Sequence, residues 1–190
     1  MLMSLSRKIA AYLLEDLSDQ NRMETCAYGI DLALYTFLST LALILIGCVF
    51  EKPIDTMILI AVYYLNQTVG GGYHASTHWK CFVSMAVSLL VCLVVIRFFW
   101  QVPYLALLLT IIALAILWKY PLHLHPHKAY LKDKAESMKK KSKACALFSF
   151  IAVVFLSLVG RQFALSAALG VFSAAVSRMI GVSFQTGEKC

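Results

Sequence analysis

Six long apolar stretches, parted by short polar breaks, constrain this chain more than any other feature. They run over Leu32–Phe50, Ile54–Val69, Phe82–Trp100, Val102–Trp118, Ala144–Gly160 and Phe163–Ile180. An α-helix rises about 1.5 Å per residue, so roughly 20 apolar residues cross the hydrocarbon of a bilayer. The breaks are strong ones. Glu51-Lys52-Pro53 closes the first stretch, Gly70-Gly71-Gly72 closes the second, and Pro103 opens the fourth. Only Arg161-Gln162 separates the last two, which predicts a tight helical hairpin. Composition agrees: 61% of residues are hydrophobic and 14% charged, against about 45–50% and about 25% in soluble domains. The expected fold is all-α, a polytopic integral membrane protein of about six transmembrane helices in a single membrane domain over residues 1–190.

Ahead of the first stretch, Leu5, Ile9, Tyr12, Leu13 and Leu17 recur at helical spacing among Arg7, Lys8, Glu15 and Asp16. Residues 1–26 therefore read as an amphipathic helix, lying on the membrane surface or packed on the protein. This segment is too charged for a cleavable signal peptide. The six cysteines are scattered, with no Cys-x-x-Cys, so no disulfide framework is expected. There is no internal repeat and no low-complexity run.

Lys and Arg set the expected orientation. With the N-terminus inside, fourteen of the seventeen cations fall on the inner side, and only Lys52, Arg97 and Arg161 on the outer. Both termini, the 70–81 connection and a basic loop over 119–143 then face the cytoplasm. Most of the lysines lie in that one loop, with no interleaving of Arg and aromatics, which argues against a nucleic-acid partner. Asp31 and Asp55 sit near span ends, where they read as hydrated groups or caps.

The 70–81 connection carries the chemistry. It reads Gly70-Gly71-Gly72-Tyr73-His74-Ala75-Ser76-Thr77-His78-Trp79-Lys80-Cys81. Consecutive glycines break a helix, admit close approach of other backbone and leave N–H groups for a carbonyl oxygen that gains charge. A thiol becomes a nucleophile once an imidazole takes its proton, and the same imidazole can protonate a leaving amine. His74 and Cys81 are seven residues apart, about 10.5 Å along a continuous helix, so they meet only if the chain folds back. His78, three residues before Cys81, would be its neighbour on a helix. Spacing does not choose between the two histidines. The His74/His78/Cys81 set also admits a metal site, although no fourth ligand is near in sequence. Plain interfacial polarity is the third reading. A transporter using these residues is a further alternative, but it would want ionisable groups deep in several spans, and these spans are nearly free of charge.

Gly71-Gly72-Tyr73-His74-Ala75 with Cys81 seven residues after the histidine resembles the accessory gene regulator B family, membrane cysteine endopeptidases of bacterial quorum sensing. Length, multi-span pattern and the basic loop before the last two spans extend the resemblance over most of the chain. The resemblance implies a bacterial cell-membrane enzyme with His74 and Cys81 catalytic, no metal and no cofactor. It implies a precursor signalling peptide as substrate, with an internal Cys and an acidic tail, and a homodimer. Cys81 would attack the carbonyl after the signal segment, and the peptide's own Cys would then close a thiolactone. The family pattern often has an Arg before the Gly-Gly pair. Here that stretch is Asn66-Gln67-Thr68-Val69, so Gln67 or Asn66 would contact substrate or orient His74, unless both are simply polar residues ending a span. Gly71, Gly72, Gln67 and Ser84 are the expected substrate contacts at the site. Lys139 and Lys140 are the cations that would hold the acidic tail, or else contact anionic membrane lipid.

Overall fold

In the computed structural model the described residues are 2–13, 20–72, 77–102, 104–122 and 135–187. They form seven helices: α1 (Leu2–Leu13), α2 (Gln20–Val49), α3 (Pro53–Gly70), α4 (His78–Phe99), α5 (Leu105–Lys119), α6 (Ala135–Val159) and α7 (Arg161–Gly187). Every expected span corresponds to one of α2–α7. Four helical segments are long and apolar enough to cross a membrane: Met23–Val49, His78–Phe99, Ala135–Val159 and Arg161–Ser183. Leu105–Lys119 is a shorter apolar helix. α3 is one continuous 18-residue helix, about 27 Å long. Asp55, Asn66 and Gln67 interrupt its apolar run, and it is not among the four.

The chain divides into two compact units, Met1–Leu45 and Ile46–Cys190. In the first unit the expected amphipathic segment over 1–26 includes α1 and the start of α2, and its residues 14–19 lie outside the described residues. Ser6 and Ala10, one turn apart, are buried while Tyr12 is exposed. The Ser6 hydroxyl donates to Asp31 Oδ1 at 3.4 Å. That burial favours packing on protein over a helix lying free on lipid. Asp31 is not at a helix start but well inside α2, and it is buried.

The second unit opens on the end of α2. Glu51 has φ 58°, its N–H reaches Cys48 O at 3.0 Å, and the Lys52 N–H reaches Gly47 O at 2.9 Å. This is the paired bonding that ends a helix through one left-handed residue. Pro53 then opens α3, where its missing N–H costs nothing. α7 is the centre of this unit, packing against α3, α4, α5 and α6. Its small residues make that possible. Ala164, Ala167 and Ala168 meet Val153 of α6, while Val171 and Ala175 meet Ala113, Leu117 and Ala146 of α5 and α6. At Gly170 a side chain would lie 2.6 Å from Leu59 O of α3, so the two helices touch at the backbone. Small residues that let helices approach closely are the usual basis of packing in lipid.

α4 is attached along a single stripe. Leu89, Cys92, Leu93 and Ile96 are buried, with helical spacing, and Cys92 Sγ lies 3.6 Å from Ser173 Oγ of α7. Its other faces expose Val83, Val87, Val91, Val94 and Phe98. Phe37, Phe155 and Leu158 are likewise exposed. Apolar surface of this extent is incompatible with water and suits lipid.

Two corrections concern helix starts. α2 begins at Gln20 rather than near Leu32, and α6 begins at Ala135 rather than Ala144. Lys139, Lys140, Lys141 and Lys143 therefore stand on a helix, not in a loop. The polar ends continue as helix because Ala, Glu, Met and Lys all favour it.

Candidate functional site

α3 ends at Gly70 and α4 begins at His78, and both ends are built from the motif. The Gly71 N–H donates to Gln67 O at 2.8 Å, and Gly71 has φ 71° and ψ −178°. That backbone conformation is open to glycine and costly for any other residue. From sequence the glycine N–H groups are expected to be free for a substrate oxygen. The structure commits that of Gly71 to ending α3. Gly70 and Gly72 are glycines for a second reason, which is space. A Cβ on Gly70 would fall inside the Arg178 guanidinium, and one on Gly72 inside the Gln67 carboxamide.

α4 is capped by Thr77, whose hydroxyl accepts from the Lys80 N–H at 3.4 Å. The first helical rung is the Cys81 N–H to Thr77 O, 3.1 Å. Cys81 thus stands, half-buried, in the first turn of a 22-residue helix. A negative charge is favoured there by unpaired N–H groups and the helix dipole, and reactive thiolates commonly occupy such positions.

Cys81 is within electrostatic reach of Tyr63 on α3. The Tyr63 hydroxyl is hydrogen-bonded to the side chains of Ser177 on α7 and Gln67 on α3. Tyr63 therefore ties α3 to α7, with Cys81 of α4 within electrostatic range. Gln67 Oε1 is buried and has no hydrogen-bond partner among the described residues. A buried acceptor left unpaired is expensive, and this one belongs to the side chain that bonds Tyr63.

His74 lies outside the described residues, so its expected approach to Cys81 does too. His78 is the first residue of α4 and is exposed, as is Ser84, one turn beyond Cys81. Trp79 is exposed and stacks obliquely on Phe82, with ring centroids 5.9 Å apart. Lys139 pairs with Glu136 at 2.9 Å, Lys140 is exposed, and Lys143 Nζ sits 5.0 Å over the Trp118 ring. Among the described residues no group of three His, Cys, Asp or Glu side chains is placed to hold a metal ion.

Sequence reasoning passed over most of the polar framework. Arg178 is fully buried at the end of α3. Asn66, also buried, donates to Val62 O at 3.0 Å and to Ser149 Oγ at 2.9 Å on α6. At the other end of α3, Asp55 is neither hydrated nor a helix cap. It is 2% exposed and accepts hydrogen bonds from Ser166 Oγ, at 2.7 Å, and from Gln162 Nε2. Among the described residues, the two buried charged groups of this unit, Asp55 and Arg178, lie at opposite ends of α3, each held by its own neighbours. They do not form the chain of sites that a transport path needs.

The fold and site together define a polytopic helical membrane protein that presents a thiol at a helix N-terminus, beside a glycine-ended helix. A family model described as accessory gene regulator B matches residues 6–182, and the chain belongs to that family. It is a multi-pass membrane protease that processes an autoinducing-peptide precursor in quorum sensing, with the cysteine endopeptidase activity the family implies. No curated protein and no solved structure matches the chain.

Proposed function

We propose that Cys81 is the nucleophile and His74 its base. The Cys81 thiolate attacks the carbonyl after the signal segment of the precursor. The C–N bond breaks, and the proton held by the His74 imidazole passes to the leaving amine, releasing the acidic tail. The precursor's own Cys then attacks the Cys81 thioester, the bond to Cys81 Sγ breaks, and the thiolactone closes. Exchange of one thioester for another is nearly neutral, whereas water would destroy the intermediate, so the site has to keep water out.

The observation that carries this reading is the placement of Cys81 in the first turn of α4, within reach of the Tyr63–Gln67 pair. Gly71 and Gly72 serve the substrate indirectly, by ending α3 beside the Gln67 carboxamide. Gln67 Oε1 is a waiting acceptor for a substrate N–H or an imidazole N–H. Ser84, exposed one turn on, extends the contact surface. Lys140, with Lys139 beside it, attracts the acidic tail. The reading places both termini and the 70–81 segment in the cytoplasm of a bacterial cell, on the Lys and Arg distribution, and the protein as a homodimer.

The test uses purified protein in lipid vesicles with the precursor peptide encoded beside its gene. Mass spectrometry follows the released tail and the thioester adduct. Wild type should yield both and Cys81→Ala neither, and His74→Ala should be inactive where His78→Ala is active. Equal processing by Cys81→Ala would remove Cys81 as nucleophile. Equal activity of His74→Ala and wild type would remove His74 as base.

A further inference from the structure

The buried cation at the end of α3 has a job beyond filling space. Arg178 Nη2 donates to Asn66 O at 2.8 Å and Nε to Gly71 O at 3.3 Å. Nη1 donates to Ser142 Oγ at 2.8 Å, to Pro121 O at 3.1 Å and more weakly to Tyr120 O at 3.5 Å. Four of these five acceptors are backbone carbonyls and the fifth is a hydroxyl. No carboxylate is among its partners in the described residues. Asn66 and Gly71 lie at the C-terminal end of α3, and Tyr120 and Pro121 just past that of α5. Helix C-termini carry unpaired carbonyls and the negative end of the dipole, so one guanidinium satisfies two such ends together. An arginine has five N–H donors in a planar fork. Nearly all are spent here, which leaves little to offer a substrate anion.

We propose that Arg178 is the positioning residue for the glycine segment. It fixes where α3 releases the chain toward His74 and Cys81 by gripping the Gly71 carbonyl and occupying the space Gly70 leaves open. The inference rests on the protease reading of Cys81. It makes the guanidinium a determinant of turnover, although Arg178 touches neither the thiol nor the substrate.

The full-length protein in vesicles, with the same neighbouring precursor peptide, tests this through kcat and KM per folded molecule. Folded protein is counted by size-exclusion chromatography. Arg178→Lys keeps the charge but cannot span Asn66, Gly71 and Ser142 together. Gly70→Ala leaves Arg178 in place and drives a methyl into its guanidinium. Both should lose about tenfold to a hundredfold in kcat, the scale of a displacement near 1 Å in a reacting geometry, while KM stays within about twofold. Ser142→Ala removes one acceptor and no bulk, and should lower kcat about threefold at constant KM. It keeps the test readable if the larger changes fail to fold. The inference is overturned if kcat per folded molecule is unchanged in the variants that fold. It is also overturned if KM rises while kcat holds, which would make Arg178 a substrate-binding cation. Cys81→Ala runs alongside, and if it processes the peptide, the protease reading fails whatever Arg178 does.

Discussion

The same substitution, glycine to alanine, should have opposite effects at Gly29 and Gly170. At Gly170 the new methyl would sit 2.6 Å from Leu59 O and 3.1 Å from the Val62 Cβ. A carbon rests against a carbonyl oxygen at about 3.3–3.6 Å, so α3 and α7 must part by roughly 0.7 Å or more. Neither obstacle can swing away, because one is backbone and the other is a Cβ. The cost should therefore fall near the upper end of the overpacking range, about 3 kcal/mol. Alanine returns about 1 kcal/mol through its better helix propensity, which leaves a net loss of about 2 kcal/mol. At Gly29 on α2 nothing lies within 4 Å of the added methyl. Only the propensity gain operates there, about 1 kcal/mol. Thermal unfolding in detergent, followed by loss of the monodisperse peak, should show Gly170→Ala melting below wild type and Gly29→Ala at or above it. If the two variants shift in the same direction, the backbone contact between α3 and α7 is not what sets their spacing.

Asp55→Ala removes an acceptor shared by Ser166 and Gln162 and should cost about 2–4 kcal/mol. Asp55→Asn should cost within about 1 kcal/mol, because the Gln162 amide can turn its oxygen toward the new NH2. The two melting temperatures separate these outcomes, and equal losses would show that the hydrogen bonds are not the reason for the burial. Gly71→Ala forces a side chain into a φ of 71°, a strain of about 1–3 kcal/mol, and should reduce tail release more than Gly29→Ala does. Lys140→Glu should raise KM for the acidic-tailed precursor at low salt. That difference should shrink in about 1 M salt, where screening acts within roughly 3 Å. Lys139→Ala should matter less, since Glu136 already neutralises Lys139, and a salt-independent KM in Lys140→Glu would exclude the tail contact.

The spans were legible because hydropathy measures directly what lipid selects. The C-terminal limits of α2 and α3 were legible too, since Glu51-Lys52-Pro53 and Gly70-Gly71-Gly72 stop helices for local reasons, whereas α7 runs on to Gly187, past the expected Ile180. The N-terminal limits of α2 and α6 were not. Gln20–Asp31 is polar enough to look separate from the first span and Ala135–Lys143 to look like loop, yet their backbone still gains from helical bonding. The motif gave Cys81 and the glycines, but not the side chains that frame them. Gly71 and Arg178 are 107 residues apart, and nothing local to Arg178 announces its partners. Asp55 failed differently. Gln162 and Ser166 are spaced four apart, a usable pair of donors, but only the packing of α7 on α3 reveals that they face a carboxylate.

Three adjacent glycines invite one explanation, flexibility, and the structure supplies three others. Gly70 is bare because a guanidinium fills the space beside it, Gly71 because its φ is left-handed, and Gly72 because a carboxamide packs against it. Each of these is a constraint, so the segment that leads to His74 is held at its start. That fits the chemistry required of it. On the proposed mechanism, a thioester that must outlast water and meet a second thiol gains nothing from a mobile floor, whereas a fixed one would let the same atoms serve cleavage and ring closure. The Gln67 carboxamide is held in the same way, by Tyr63 on one side and Gly72 on the other. If the proposed role of Gln67 holds, a donor from the substrate or from an imidazole would offset the cost of leaving its oxygen unpaired.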